Sequence, residues 1–238
     1  MDKPFKLKQF SVNQDQCAMK IGTDGVLLGA WTSIQKHPFS ILDIGAGTGI
    51  LSLMLAQRSD AQIIEALEID DNAYEQCVEN FEQSPWNDRL FCYHASLEEF
   101  AEEIEDQYDL IICNPPFYSE DYKSKNPQRD LARFQDAMPF AHLLESVVSL
   151  LSKHGTFCVI IPFSEEKKFI ELAQDFSLFL NRKTHVRGTP SAEKKRSLVE
   201  FSFHENTPEI SELIVETTRH HYTEDYINLT KDFYLKMS

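Results

Sequence analysis

The stretch "FSILDIGAGTGI", Phe39 to Ile50, decides the fold. A short apolar run leads to Asp43, small residues follow, and a second apolar run begins at Ile50. This order is typical of a buried β-strand that turns sharply into a helix, because glycines let the backbone bend and let a ligand come close to it. The glycines of this turn are Gly45, Gly47 and Gly49.

After residue 38, apolar runs alternate with segments of helical spacing. The runs "AQIIEALEID", "RLFCYHA", "YDLIICN" and "GTFCVIIP" follow the first as strands. Such alternation predicts an α/β fold with a doubly wound, mostly parallel sheet. Two later runs, "RKTHVRG" and "RSLVEFSFHE", predict an antiparallel C-terminal hairpin and bring the sheet to seven strands. We expect a single domain over residues 1–238, with an N-terminal cap segment at 1–38 and the catalytic core at 39–238.

The bulk composition excludes several classes of protein. The chain has 238 residues, of which 42% are hydrophobic, and this is enough for one large core. It contains no apolar run long enough to span a membrane, and its start lacks the apolar segment of a secretion signal, so we expect a cytoplasmic protein. The five cysteines are scattered without a CxxC pair, which argues against a metal site and a disulfide framework.

The net charge of −15 is concentrated in one part of the chain. Residues 60–109 hold 16 acidic residues and one basic residue, and the remaining chain is balanced. Other surfaces are therefore free to be basic and to attract a nucleic acid. One group, called here the basic cluster, consists of Arg182, Lys183, Arg187, Lys194, Lys195 and Arg196. A second group lies near residue 125 and includes Lys123, Lys125, Arg129 and Arg133.

The glycine turn predicts a small-molecule site at the carboxyl ends of the strands. Its spacing is GxGxG, and Ile50 stands where the dinucleotide pattern GxGxxG has its last glycine. Asp43 before the turn would repel a pyrophosphate and suits a cationic amino-acid group. At the end of the second strand, Glu68, or in a less favoured register Asp70, can accept hydrogen bonds from both hydroxyls of a ribose.

Two further stretches lie where parallel strands end. After the third strand, Ser96 and Leu97 stand near where an adenine ring would lie. The fourth strand ends in "LIICNPPFYS", Leu110 to Ser119. Adjacent prolines fix the chain direction and donate no backbone hydrogen bonds, so this is an unusually rigid strand end.

The combination of "LDIGAGTG", an acidic residue after strand two and NPPF after strand four resembles class I S-adenosylmethionine-dependent methyltransferases. Within that class, "KQFSVNQDQCAMKIGTDGVLLGAW", "QSPW" and the tail "YTEDY...LTKDFYLK" resemble a bacterial tRNA methyltransferase family. Members of that family modify N6 of the adenine next to the anticodon, adenine 37, in tRNA1(Val). The resemblance covers nearly the whole chain and implies a Rossmann-like fold, S-adenosylmethionine as cofactor and tRNA as partner.

The resemblance also implies roles for individual residues. Asn114, Pro115, Pro116 and Phe117 would hold the target adenine, with two acceptor oxygens orienting its amine and the phenylalanine ring stacking on the base. Asn114 would also border the cofactor. The other cofactor residues would be Lys20, Thr23, Asp24, Asp43, Gly45, Gly47, Gly49, Glu68, Ser96 and Leu97. The RNA backbone would be bound by the basic cluster together with Lys123, Lys125 and Arg129.

Alternatives to this substrate remain open at the level of sequence. The PP-aromatic signature also occurs in enzymes that methylate protein glutamine side chains, DNA bases or guanine in RNA. The acidic net charge suits a protein substrate such as a translation factor, so protein N5-glutamine methylation is the main alternative. We expect a monomer in either case, without a membrane partner.

Overall fold

A computed structural model describes residues 3–116 and 139–237 of the chain. The helices are α1 (Thr23–Trp31), α2 (Ile50–Arg58), α3 (Asp71–Glu82), α4 (Leu97–Glu103), α5 (Phe140–Leu150), α6 (Glu166–Asp175) and α7 (Glu224–Thr230). The strands are β1 (Phe5–Lys6), β2 (Ser11–Val12), β3 (Ser40–Ile44), β4 (Ile63–Glu68), β5 (Leu90–His94), β6 (Tyr108–Cys113), β7 (Leu151–Pro162), β8 (Phe179–Arg187), β9 (Lys194–Ser202), β10 (Glu209–Ile214), β11 (Glu216–Thr218) and β12 (His221–Tyr222). Within the described residues, no helix is both long and apolar enough to cross a bilayer.

One sheet organises the molecule, with the strand order β10-β8-β9-β7-β6-β3-β4-β5. All neighbours are parallel except β9, which runs antiparallel to both β7 and β8. The predicted doubly wound, mostly parallel sheet and its antiparallel C-terminal hairpin, β8–β9, are therefore confirmed. The sheet has eight strands rather than seven, because β10 adds to the outer side of β8 in parallel.

Helices cover both faces of this sheet. On one face, α1, α2 and α3 bury an apolar cluster that includes Val26, Leu53 and Met54. On the other face, α4, α5 and α6 bury a second cluster that includes Leu144 and Phe169. The central strands are apolar towards both sides, as parallel strands between two helical layers require.

The N-terminal segment is part of the first helical layer. Residues Gly25 to Trp31 of α1 are all buried, and α1 packs against α2 and against the C-terminal helix α7. The tail closes this layer with α7, Glu224–Thr230, where the Thr223 side chain caps the first turn by accepting from the Tyr226 N–H. The division into a cap at 1–38 and a core at 39–238 stays a prediction, and α1 shares its apolar cluster with that core.

The topology brings three strand ends together. β3 lies between β4 and β6, with Ile44 opposite Leu67 on one side and opposite Cys113 on the other. The sheet therefore reverses its winding at β3, and ligands of open α/β sheets bind at such a point, beyond the carboxyl ends. The glycine turn, Glu68 and Asn114 all lie at this edge of the sheet.

Candidate active site

The glycine turn leaves β3 in a left-handed backbone conformation. Gly45, Gly47 and Gly49 have φ angles of 71°, 55° and 77°. A Cβ on Gly45 or Gly47 would meet no described atom within 4 Å, whereas one on Gly49 would lie 2.5 Å from Cε1 of Phe81. Gly49 is therefore required by packing, and the first two glycines border open space in which a ligand can touch the backbone.

Glu68 at the end of β4 ties the turn to the neighbouring strand. Its Oε2 accepts a hydrogen bond of 2.7 Å from the Gly47 backbone N–H, and its Oε1 accepts from the N–H groups of Ile69 and Asp70, both at 2.9 Å. The Asp70 side chain caps α3 instead, accepting from the Ala73 N–H at 2.9 Å. Of the two acidic residues that the sequence offers at this position, Glu68 is thus the one that faces the turn.

Asp43 is fully buried beneath the turn. Its Oδ2 accepts hydrogen bonds from the Ser52 hydroxyl at 2.7 Å and the Ser52 N–H at 3.1 Å, while Oδ1 has no partner among the described residues. Burial, opposed by the bonds from Ser52 and reinforced by the charge of Glu68, raises the pKa of Asp43 to about 7. A buried carboxylate with a spare acceptor is suited to attract a cationic group from the open side of the turn.

The position proposed for an adenine ring contains one residue that the sequence analysis missed. Ile69, directly after Glu68, is 67% exposed although it is a large apolar residue. Ser96 caps α4, because its hydroxyl accepts from the Glu99 N–H and its own N–H donates to the Glu99 carboxylate. Leu97 is buried. The sequence signal for this residue is the isoleucine that stands between two acidic residues in "LEIDD".

Asn114, Pro115 and Pro116 continue β6 at the same edge. Pro115 is buried, and its two neighbours are partly exposed. A Cβ on Gly25, in the first turn of α1, would lie 4.0 Å from Nδ2 of Asn114, so this helix start borders the Asn114 side chain. Phe117, Lys123, Lys125 and Arg129 lie outside the described residues, and their predicted roles stay predictions.

The predicted cap residues Lys20, Thr23 and Asp24 lie just before α1 and in its first turn. Lys20 is exposed, and its Nζ donates to the Gln14 carbonyl at 2.5 Å. Thr23 is exposed at the start of α1. The Asp24 carboxylate accepts a hydrogen bond of 2.7 Å from Nε of Arg196, which the sequence assigned to RNA binding. The structure thus brings one predicted cofactor residue and one predicted RNA-binding residue into a single ion pair.

Two cations of the basic cluster are largely engaged inside the protein. The Arg182 guanidinium lies 3.7 Å from the centre of the Trp31 ring and donates to Glu200 at 2.9 Å. Lys183 donates to the buried Glu166 carboxylate at 2.5 Å. These contacts pin β8 to its neighbours, and they partly neutralise charges that the sequence analysis assigned to RNA.

The rest of the basic cluster lies nearer the surface. Arg187 pairs with Glu212 at 2.8 Å, and Lys194 donates to Nδ1 of His185 at 2.8 Å. Lys195 is exposed. The sequence could not reveal these pairings, because the acidic partners come from distant strands and helices.

Comparison with known proteins identifies the family. The Methyltransferase small domain model matches residues 24–164. The tRNA1(Val) (adenine(37)-N6)-methyltransferase of Flavobacterium johnsoniae is 64% identical over 234 residues, covering 98% of this chain and all of the relative. The chain belongs to this family. The protein of the same name from Bacteroides fragilis is 43% identical over the full length of both chains.

A solved structure supports the fold. A predicted O-methyltransferase from Agrobacterium tumefaciens superposes with a TM-score of 0.66 at 17% identity, covering 88% of this chain and 96% of the other. Membership of the family confirms the predicted methyltransferase class, and with it S-adenosylmethionine as the cofactor. The main alternative, protein glutamine methylation, is not favoured by these relatives.

The residues at the edge fit this cofactor. Gly45 and Gly47 leave space against the backbone, and the Glu68 carboxylate lies beside them with its Oε2 bonded to the Gly47 N–H. The Oδ1 atom of Asp43, which has no partner among the described residues, is an acceptor for the N–H groups of an amino-acid end. When bound, S-adenosylmethionine supplies a methyl group activated by its positive sulfur.

Proposed function

We propose that this protein methylates N6 of adenine 37 in tRNA1(Val), as the names of its relatives state for them. The observation that carries the proposal is the placement of Asn114 and Pro115 at the carboxyl end of β6, next to the glycine turn that follows β3. Methyl transfer between two bound molecules needs this adjacency. An amine that is held beside an activated methyl group reacts in an effectively unimolecular step.

The amine of adenine is a poor nucleophile because its lone pair is delocalised into the ring. In our proposal the Asn114 side-chain oxygen accepts one N–H of the amine and the Pro115 carbonyl accepts the other. Both bonds favour a more tetrahedral nitrogen, so they would strengthen as the C–N bond forms and the bond from the methyl carbon to sulfur breaks, and they stabilise the transition state most. S-adenosylhomocysteine would be the leaving product. The nitrogen becomes acidic once it is methylated, and its proton can leave to water.

We propose that the rigid strand end also favours a planar amine over other nucleophiles. The rigid Pro115–Pro116 pair fixes the direction of the carbonyl before substrate arrives, so little reorganisation is needed at the moment of reaction. Phe117 is proposed to stack on the base, an interaction worth roughly 1–3 kcal/mol. A loop adenine is already partly unstacked, so extruding it costs less than flipping a base out of a duplex.

At the cofactor, Glu68 is proposed to bind the ribose hydroxyls, and Ile69 to contact the adenine face. Asp43 is proposed to attract the cationic amino-acid end from below the turn, with Lys20, Thr23 and Asp24 closing the pocket from the N-terminal side. Ser96 and Leu97 border the adenine in this proposal. The RNA backbone is proposed to follow the exposed side of the basic cluster, where Lys195 is accessible, and the enzyme acts as a monomer in the cytoplasm.

The direct test is methylation of tRNA by the purified protein. Incubation with S-adenosylmethionine carrying a labelled methyl group and total tRNA should give N6-methyladenosine, mapped to position 37 of tRNA1(Val). The matched control is a tRNA1(Val) transcript in which guanine replaces adenine 37, and it should accept no label. Label at another nucleotide, or only in a ribonuclease-resistant protein fraction, would refute the proposal.

A further inference from the structure

Residues 13–22, called here the strap, connect β2 to α1 and cross the helix α3. The strap forms no helix or strand of its own. It is held instead by side chains of α3 whose sequence pattern, in an acidic amphipathic helix, gave no sign of a special role. Two of these side chains, Gln76 and Asn80, are amides with only 1% exposure, and they lie one helical turn apart.

Asn80 uses every hydrogen-bonding group of its amide. Its Oδ1 accepts from the Asn13 N–H at 2.8 Å, and its Nδ2 donates to the Asn13 carbonyl at 2.9 Å. The second hydrogen of Nδ2 goes to the Thr48 carbonyl at 2.9 Å, inside the glycine turn. One buried side chain therefore joins the strap directly to the turn that borders the cofactor.

Gln76 fixes the strap at a second point. Its Oε1 accepts from the Gln16 N–H at 3.0 Å, and its Nε2 donates to the Asp15 carboxylate at 2.9 Å. Neither of these two bonds reaches the glycine turn, so Gln76 holds the strap without touching the turn through them. Both amides therefore anchor the strap, and Asn80 is the one that also bonds to the turn.

The strap reaches from the ribose side of the pocket to the acceptor side. Cys17 is buried in it, and burial together with the charges of Glu68 and Asp70 raises the pKa of that thiol to about 11. At its far end the strap leads into α1, where Gly25 borders Asn114. Asn80 and Gln76 hold residues 13–16, the end of the strap away from Gly25 and Asn114, so loosening the strap there should affect the cofactor side of the site and leave the acceptor side in place.

We propose that Asn80 is a positioning residue, which holds the strap and the glycine turn in the arrangement that binds S-adenosylmethionine. It touches neither cofactor nor substrate and acts through Asn13 and Thr48. This inference rests on the methyltransferase class and not on the identity of the tRNA. A cofactor-binding measurement therefore tests it even if the proposed RNA substrate is wrong.

The test is the substitution Asn80→Asp, which keeps the shape of the side chain. It replaces the NH₂ group, which donates to the Asn13 and Thr48 carbonyls, by an oxygen that cannot donate. We expect the Kd for S-adenosylmethionine, measured by calorimetry without RNA, to rise about tenfold, because buried acceptors lose their donor. Backbone amides of residues 13–22 should exchange hydrogen faster. At saturating cofactor, kcat should stay within about twofold, since the chemistry is untouched. The control Asn87→Asp makes the same change at an exposed position and should alter none of these values.

Two results would overturn the proposal. One is an unchanged Kd in Asn80→Asp while exchange of the strap has increased. The other is unchanged exchange of the strap itself. If Asn80→Asp fails to fold, Gln76→Glu supplies the same test, because it sets a carboxylate against Asp15 and loosens the strap from its other anchor. It should raise the Kd by a smaller factor, and loosening without any loss of affinity would contradict the proposed role.

Discussion

The Glu68 carboxylate accepts a hydrogen bond of 2.7 Å from the Gly47 backbone N–H, which joins the end of β4 to the turn after β3. The same carboxylate accepts from two N–H groups of its own strand end. Its orientation is therefore set before any ligand arrives, so the ribose contact that we propose for it needs no rearrangement of the acid. Preorganisation of this kind reduces the entropy lost on binding.

Substitution of Glu68 by glutamine should weaken cofactor binding strongly. The amide keeps one acceptor oxygen but sets an NH₂ group against either the Gly47 N–H or the N–H groups of Ile69 and Asp70. Since hydrogen bonds to a charged group contribute about 1.5–3 kcal/mol, the Kd for S-adenosylmethionine should rise roughly 10- to 100-fold. Calorimetric titration measures this, and an affinity equal to that of the wild type would remove Glu68 from the pocket.

Two glycine substitutions in the turn should differ in how much they affect stability and cofactor binding. Gly47→Ala introduces a Cβ into open space at positive φ, so it should cost about 1–2 kcal/mol of stability and weaken cofactor binding. Gly49→Ala sets a Cβ 2.5 Å from Phe81 and should destabilise the fold more. Chemical denaturation and cofactor titration of both variants test this pair, and equal loss of stability in the two would contradict the assignment.

Stability should depend on pH through Asp43. Its pKa rises on folding from the ordinary value of 3.8 to about 7, with burial as the largest cause, so the folded state binds the proton more tightly than the unfolded state. The contribution of Asp43 to stability is therefore present below about pH 4 and is lost as the pH rises towards 7. Relative to wild type, Asp43→Asn should gain stability between pH 4 and pH 8, by up to about 4 kcal/mol.

Urea unfolding of both proteins without cofactor, at pH 4, 6 and 8, measures this difference. The free energy of unfolding of the variant minus that of wild type should increase across the series. A difference that is constant with pH would mean that Asp43 is ionised in the folded protein throughout the range.

Two members of the basic cluster should separate RNA binding from folding. Lys195→Ala removes an exposed cation, so it should weaken tRNA binding and reduce the salt dependence of log K by about one, without affecting stability. Arg182→Ala removes the partner of Glu200 and the contact with Trp31, so it should destabilise the fold by a few kcal/mol. Filter binding at several salt concentrations and thermal denaturation distinguish the two variants. If Arg182→Ala weakened RNA binding and Lys195→Ala did not, the RNA would bind elsewhere than on the exposed side of the basic cluster.

Local features of the sequence predicted much of this architecture. The glycine turn required left-handed backbone at Gly45, Gly47 and Gly49, and alternation of strands and helices was enough to place Glu68 and Asn114 at one edge. Which of Glu68 and Asp70 faces the glycine turn depends on which of them caps α3. Asp70 is the cap, so Glu68 faces the turn.

Long-range features were beyond the sequence. Helix α1 is buried on all sides from Gly25 to Trp31, so it lacks the amphipathic period by which helices are recognised. β7 begins at Leu151, directly after α5, because Leu151 pairs with Tyr108, and no local signal marks that pairing. The acidic partners of the basic cluster, and the strap contacts of Asn80, likewise depend on residues brought together only by folding.

The central claim is that the Asn114 oxygen orients the amine of the target adenine, and single-turnover methylation of tRNA1(Val) tests it most directly. At saturating cofactor, Asn114→Ala should lower the rate by about 10²- to 10³-fold, as expected for loss of one transition-state hydrogen bond, while the cofactor Kd stays within about threefold. Asn114→Asp keeps an acceptor oxygen and should retain much more activity. A rate near that of wild type in Asn114→Ala would contradict the account.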